Sequence, residues 1–401
     1  MANKDFFENQ TELIANKKNG LKMEIPWVID EPAKIKHELL RQYIASWMLI
    51  LFRTNKNYSR PQLVTYFDGF CGPGEYFCDE KRNSKCDGSP VLVANIANDL
   101  IAEDNQRKVA IFCIDKNKNC VDCLQGIFDQ KNTNKQFWKV YLGDFEQTIN
   151  KILDEIDQST VKDYPMFFFV DPFGYSGFSM ATLKRILSYP RSEVFINFMV
   201  YDIVRFWEED HAEDAMRNLF GSDEYKEVDK TKCAEEKQLF FMNLYCKNLS
   251  EIAGAKFVMP FRINTPGQKV RPRYYLIHAS QHIKALQVMK DNMARVSDSK
   301  YRFEAIGIQK GQMTLFEDPE KVDMRNRIID VVAKQKEVEF DALAEWAYAN
   351  TNGISKTIKD VLIQLEQQKI FEIQREPRKR KNTVTSGAII KHIGGGNGAK
   401  N

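Results

Sequence analysis

Residues 65–76 read TYFDGFCGPGEY: apolar residues run into Asp68, and glycines follow at 69, 72 and 74. Glycine takes positive φ without strain and lets a ligand approach bare backbone. A glycine turn placed after a strand is where phosphates, dinucleotides or other adenosine-bearing cofactors bind. The turn alone does not choose among them.

The segments around it set the frame. Apolar runs at 63–67, 109–115, 139–142, 166–170 and 193–200 read as five strands. Helical patterns fall between them, at 91–102, 119–129, 145–157 and 179–187, with a longer amphipathic helix at 33–52 ahead of the first. Strands alternating with helices predict an α/β fold, a parallel doubly wound sheet of Rossmann-like type. Residues 78–88 read as a polar loop, 201–255 as a charged helical insertion, and 256–263 with 274–279 as a hairpin followed by a helix at 280–293.

Beyond residue 300 the pattern changes. Residues 301–321 read as a linker. Three short amphipathic helices, at 323–334, 339–349 and 355–368, precede two runs at 370–374 and 384–390 that flank the basic turn REPRKRK. That order predicts a winged helix-turn-helix domain over 322–392, with 393–401 as a flexible tail. The domain expected before the linker spans 1–300, and two domains suit 401 residues at about 150 residues or more each.

Formal net charge is only +3, so global charge does not announce nucleic acid. No run reaches the ~20 apolar residues of a membrane span, and the first residues, MANKDFFENQ, lack a signal-peptide core, so a cytoplasmic protein is expected. Eight cysteines in that setting predict free thiols rather than a disulfide framework. Cys120 and Cys123 form a CxxC with no second pair at zinc-finger spacing, so no metal site is expected, although Cys78 and Cys86 could meet them in space.

The strand ends then narrow the cofactor. A triphosphate site calls for GxxxxGK[ST], which does not follow the first strand. A dinucleotide site calls for a third glycine opening a helix, and Gly72-Pro73-Gly74 leads into a polar loop instead. S-adenosylmethionine (SAM) needs acids rather than phosphate binders. Asp68, Gly69, Gly72 and Gly74 suit its methionine end, Asp115 its ribose hydroxyls, and Asp144 its adenine amine. Asp171 stands at the next strand end, where the reacting group would lie. Each aspartate has a plainer reading as a turn or helix cap.

Asp171 opens DPFG, which resembles the D/N-P-P-[YFW] signature of amino-methyltransferases acting on adenine or cytosine. An exocyclic amine is a poor nucleophile. A carboxylate (Asp171) and a backbone carbonyl (Pro172) would accept its N–H bonds, while Phe173 or Tyr175 stacked on the flipped base. Here Phe173 replaces the second proline and Gly174 the aromatic, and a tight turn is the alternative.

Taken in order, FDGFCGPGEY, GSP, an acid-ended strand, GD and DPFG, together with PWVIDEPAKIKHELLRQYIASW, NLFG and YYLIHAS, resemble the three-Cys-motif partner protein family over nearly the whole chain. The resemblance implies a class I methyltransferase fold, SAM as cofactor, and a setting in phage conflict beside a radical-SAM-like partner protein with a three-cysteine motif. The chain also resembles the J-type ribosomal-RNA adenine-N6 methyltransferases. By that likeness Gly72, Asp115, Asp144 and Asp171 keep their roles, and Ser89 is a cofactor contact or a helix cap.

In a winged helix the third helix enters the major groove and the wing touches backbone. Lys356 and Lys359 lie on that helix, near Ser355 and Thr357, and Arg378, Lys379, Arg380 and Lys381 lie on the wing beside Arg375. Arg271 and Arg273 offer a second basic contact. Such residues bind phosphate, although many winged helices bind only protein. The expected function is methyl transfer to an exocyclic base amine of DNA or RNA, adenine N6 foremost. The rivals are an inactive SAM-binding recruitment module and, more weakly, a nicotinamide oxidoreductase.

Overall fold

The computed structural model describes residues 25–54, 62–131, 137–264, 272–297, 301–303, 319–375 and 382–393. Helix α1 (Glu31–Thr54) leads into strand β1 (Gln62–Asp68). A short hairpin, β2 (Glu75–Phe77) and β3 (Lys85–Asp87), follows the glycine turn, and then comes α2 (Ser89–Glu103). Next in order are β4 (Arg107–Asp115), α3 (Lys118–Lys131), β5 (Phe137–Leu142), α4 (Phe145–Asp157), β6 (Met166–Val170), α5 (Met180–Leu187) and β7 (Ser192–Phe198). Helices α6 (Val200–Phe206), α7 (Glu213–Phe220) and α8 (Ala234–Glu251) precede β8 (Phe257–Asn264), β9 (Pro272–Ser280), α9 (Ile283–Val296) and β10 (Tyr301–Phe303).

These strands form one eight-stranded sheet in the order β10-β8-β9-β7-β6-β1-β4-β5. Strands β1, β4, β5, β6 and β7 are mutually parallel, and β9 runs antiparallel to both β7 and β8. The chain builds outward from β1 through β4 to β5, then returns to the other side of β1 to build β6 and β7. The strand order therefore reverses between β1 and β6, the position at which open α/β sheets bind ligands.

The sequence of β6, MFFFV, explains why it sits at the centre. It is buried at every residue, because helices cover both faces of a parallel sheet. Its side chains alternate between two cores. Phe167 and Phe169 join one with Leu40, Tyr43 and Leu92, and Phe168 and Val170 join the other with Leu153, Leu183 and Phe220. Phe67 stacks on Phe168 at 4.3 Å between ring centroids.

Three expectations change. The polar loop at 78–88 holds the turn and second strand of the β2–β3 hairpin, and Cys78 and Cys86 are joined by a disulfide across it, so these two thiols are not free. The expected linker is not all linker: β10 pairs with β8, and the next helix, α10, begins at Pro319. The last strand is Ile389–His392, not 384–390, since residues 386–387 form a turn held by Asp341, which accepts from the Ser386 hydroxyl at 2.5 Å.

The C-terminal elements run α10 (Pro319–Gln335), β11 (Glu337–Glu339), α11 (Phe340–Asn350), α12 (Ser355–Gln367), β12 (Phe371–Gln374) and β13 (Ile389–His392). The strands form an antiparallel sheet, β11-β13-β12. This group packs on α9 by specific bonds. Wholly buried Lys290 donates to the carbonyls of Tyr348 at 2.9 Å and Thr351 at 2.5 Å. Asp291 accepts from the backbone N–H and hydroxyl of Ser355. No helix among the described residues is long and apolar enough to cross a membrane.

Candidate cofactor and substrate cleft

The glycine turn is stitched to both neighbours of β1. The Gly69 N–H donates to the Phe169 carbonyl at 2.8 Å, and the Cys71 N–H to the Ile114 carbonyl at 3.0 Å. Gly72 and Gly74 adopt φ of +58° and +83°, the left-handed region that favours glycine. A Cβ on Gly74 would also lie 2.6 Å from Leu124 Cδ1, and one on Gly69 would lie 2.7 Å from the Phe145 ring. Backbone at this strand edge is thus bare and closely packed from beneath.

The predicted acids divide by environment. Asp115 Oδ2 accepts from the Gly72 N–H at 2.9 Å, and Oδ1 from Asn117 N–H at 2.7 Å. It is half-buried and ties the turn to β4. Asp144 is exposed and caps α4, accepting from Gln147 N–H at 3.2 Å. Asp68 is fully buried under the turn, where Tyr66 donates to its Oδ2 at 2.9 Å. Burial pushes the Asp68 carboxyl up to about 7, against the opposing pull of Ser89, Tyr66 and the Phe70 N–H. Ser89 is the first residue of α2 and buried, and the capping position is Gly88.

Asp171 follows β6, one strand over from the turn. Its Oδ2 takes the Lys36 ammonium, and its Oδ1 takes Asn197 Nδ2 at 2.6 Å. A cleft of about 100 Å³ opens here, lined by Tyr76, His37, Asp171, Pro172, Phe173 and Met199 among others. Pro172 is buried and Phe173 is 64% exposed at its edge. Tyr175 packs instead on Phe206, 5.8 Å between centroids, and burial with Asp202 and Glu209 nearby pushes its phenol up. A larger cavity of about 390 Å³ opens beside Glu193, near the start of β7 and thus at the opposite end of the strands.

Lys36, His37 and Asn197 escaped the reading of the sequence. Lys36 bonds a residue 135 positions away, which no local pattern reveals. There was nonetheless a trace. Lys36 precedes Leu40, Tyr43 and Trp47 on one stripe of α1, a lysine where an apolar residue is expected. Asn197 is a lone polar residue in the run VFINFMV. His37 is buried, and desolvation, with Lys36 adding to it, lowers its imidazole to about 4.

Of the basic residues, Lys356 is exposed at the start of α12, and Lys359 lies over the Phe340 ring at 5.8 Å. Arg271, the side chain of Arg273, and Arg378, Lys379, Arg380 and Lys381 lie outside the described residues. Cys120 is buried and Cys123 half-buried on α3. Among the described residues no cluster of His, Cys, Asp and Glu could hold a metal ion.

The strand order and the position of the glycine turn define a Rossmann-like α/β protein whose turn lies at the strand reversal. No protein-family model matches the chain, and no curated protein matches it. Solved structures give distant likenesses. The Legionella pneumophila protein LPL1258 is 11% identical, over 68% of this chain and 97% of that one, with a TM-score of 0.36. Human methyltransferase 10 domain containing protein is 12% identical, over 70% and 100%, at 0.31. A Streptococcus mutans methyltransferase candidate in complex with SAH is 14% identical, over 63% and 98%, at 0.28.

Proposed function

We propose that this protein is a SAM-dependent methyltransferase acting on an exocyclic amine of a nucleic-acid base, with adenine N6 as the first candidate. The observation that carries the reading is the placement of Asp171. It opens a cleft at the strand reversal, beside a left-handed glycine turn that Asp115 holds from the next strand. The reversed strand β9 between β7 and β8 is also the arrangement expected of a class I methyltransferase sheet.

The residues fit the cofactor by their chemistry. The turn presents backbone that side chains would fill, and the acids at this edge accept hydroxyls and amines and would repel a phosphate. Gly72 and Gly74 would pass along the methionine portion, and Asp115 would take the ribose hydroxyls. Asp144, which follows β5, would accept the adenine amine. When bound, SAM supplies a methyl carbon on a sulfonium. That methyl would pass to the amine lone pair, the S–C electron pair staying on sulfur and the extra N–H proton going to water. Asp171 and the Pro172 carbonyl hold the amine's N–H bonds, and exposed Phe173 stacks on the ring.

The order of the C-terminal elements, three helices with an antiparallel β11-β13-β12 sheet, supports a winged helix that brings the polymer to the cleft. The resemblance to three-Cys-motif partner proteins supports a role in phage conflict with a radical-SAM-like partner. A second reading, a SAM-binding recruitment module without turnover, is favoured by the Lys36 and Asn197 bonds already on Asp171. Incubation with labelled SAM and total nucleic acid, followed by mass spectrometry of nucleosides, decides between them. Methylated adenine supports transfer; cofactor binding with no methylated base supports recruitment.

A further inference from the structure

Lys36 is 8% exposed, and its ammonium sits on Asp171 Oδ2. The other oxygen takes Asn197 Nδ2 at 2.6 Å. A carboxylate without its proton only accepts, so the Asn197 amide must present its NH2 side. The carboxylate at the cleft is therefore gripped from α1 and from β7, and one of the two donors is a cation.

We propose that Lys36 is a specificity-determining charge filter: by compensating Asp171 it admits a neutral amine to the cleft and turns away a cationic one. This rests on the methyl-transfer reading for the identity of the reaction, whereas the filter itself is a property of binding. A carboxylate offers roughly four lone-pair sites. Lys36 and Asn197 occupy two, and the rest suffice for the N–H bonds of a neutral exocyclic amine. An alkylammonium in the same place would meet the Lys36 charge at close range, where a partly buried site screens little. It would also bring no lone pair to react.

Asp30 also lines the cleft, and its Oδ1 accepts the Ala33 N–H at 2.8 Å at the start of α1; that bond leaves its charge in place, the same in wild type and in every Lys36 variant, so the change of ratio between them reads Lys36 alone. Asp68 lies fully buried beneath the turn. His37 carries no charge at neutral pH.

The test is ligand-observed NMR on the full chain at neutral pH with saturating S-adenosylhomocysteine. Adenosine is the neutral probe and n-butylammonium the cationic one. The wild-type chain is expected to bind adenosine about tenfold or more tightly than butylammonium, and Lys36→Met to bring the two level or invert them. Lys36→Arg, which keeps the charge, should keep the wild-type order. Should Lys36→Met not fold, Lys36→Gln retains a donor for Asp171 and carries the same measurement. Equal binding of both probes by wild type, binding of neither, or an unchanged ratio in the neutral variant overturns the filter. SAM titrated separately reports on the methyltransferase reading: absence of SAM binding ends that reading, while a gain of butylammonium in Lys36→Met would still stand for the filter.

Discussion

The carboxylate of Asp115, at the end of β4, accepts the backbone N–H of Gly72 at 2.9 Å, across 43 positions of sequence. The left-handed turn is thus held from the neighbouring strand as well as by its own glycines. Asp115→Ala removes that acceptor and the one for Asn117. Cofactor affinity is expected to fall by at least about tenfold, since a charged hydrogen bond is worth ~1.5–3 kcal/mol. Calorimetry with SAM reads the loss, and Asp115→Asn should lose less.

Gly88 donates to the Gly74 carbonyl at 2.7 Å, and a Cβ there would lie 2.9 Å from that same oxygen. Gly88→Ala therefore pushes the glycine turn itself. Overpacking of this kind costs about 1–3 kcal/mol. A lower melting temperature together with weaker SAM binding is expected, and an unchanged melting temperature would mean that the turn shifts freely.

Asp68 gives the fold a pH signature. Its folded carboxyl holds a proton up to about 7, while an unfolded aspartate releases it near 4. Between those values the folded state binds more protons, so the contribution of Asp68 is full below about 4 and is lost as pH rises to about 7. In Asp68→Asn the urea midpoint should fall less over that window than in wild type. Parallel curves would mean that the carboxyl ionises in place without cost.

Lys290 is the buried link between α9 and the C-terminal elements. Lys290→Met leaves the carbonyls of Tyr348 and Thr351 without this donor, a loss of about 1–3 kcal/mol. Hydrogen exchange should accelerate in α11 and α12 while β6 and β7 stay protected. Acceleration throughout the chain would show instead that the two parts unfold together.

For the basic turn, neutralising Arg378 through Lys381 should flatten the dependence of nucleic-acid affinity on salt. The log–log slope is expected to change by about 0.9 for each phosphate of duplex DNA that the turn no longer neutralises. An unchanged slope removes this turn from the binding surface.

What could be read in advance follows from how each element is buried. Strands β1, β6 and β7 are buried along nearly their whole length, so they appear as mainly apolar runs, MFFFV without a break. Helices α1 and α4 carry one apolar stripe and show helical spacing; the predicted 145–157 matches Phe145–Asp157. The β2–β3 hairpin, β10 and β11 were missed because each strand has three residues, too few to show a period. The Cys78–Cys86 pair depends on that hairpin bringing the two together.

Sequence by itself determined the doubly wound sheet, the glycine turn and the acids at the strand ends, because these are written in local composition and short-range spacing. Tertiary structure alone decided what each acid meets: Asp68 sealed below the turn, Asp144 capping a helix, Asp115 holding Gly72, and Asp171 between Lys36 and Asn197. The physical reason is that a carboxylate's charge and reach depend on burial and on partners supplied by distant segments, and neither is a property of its neighbours along the chain.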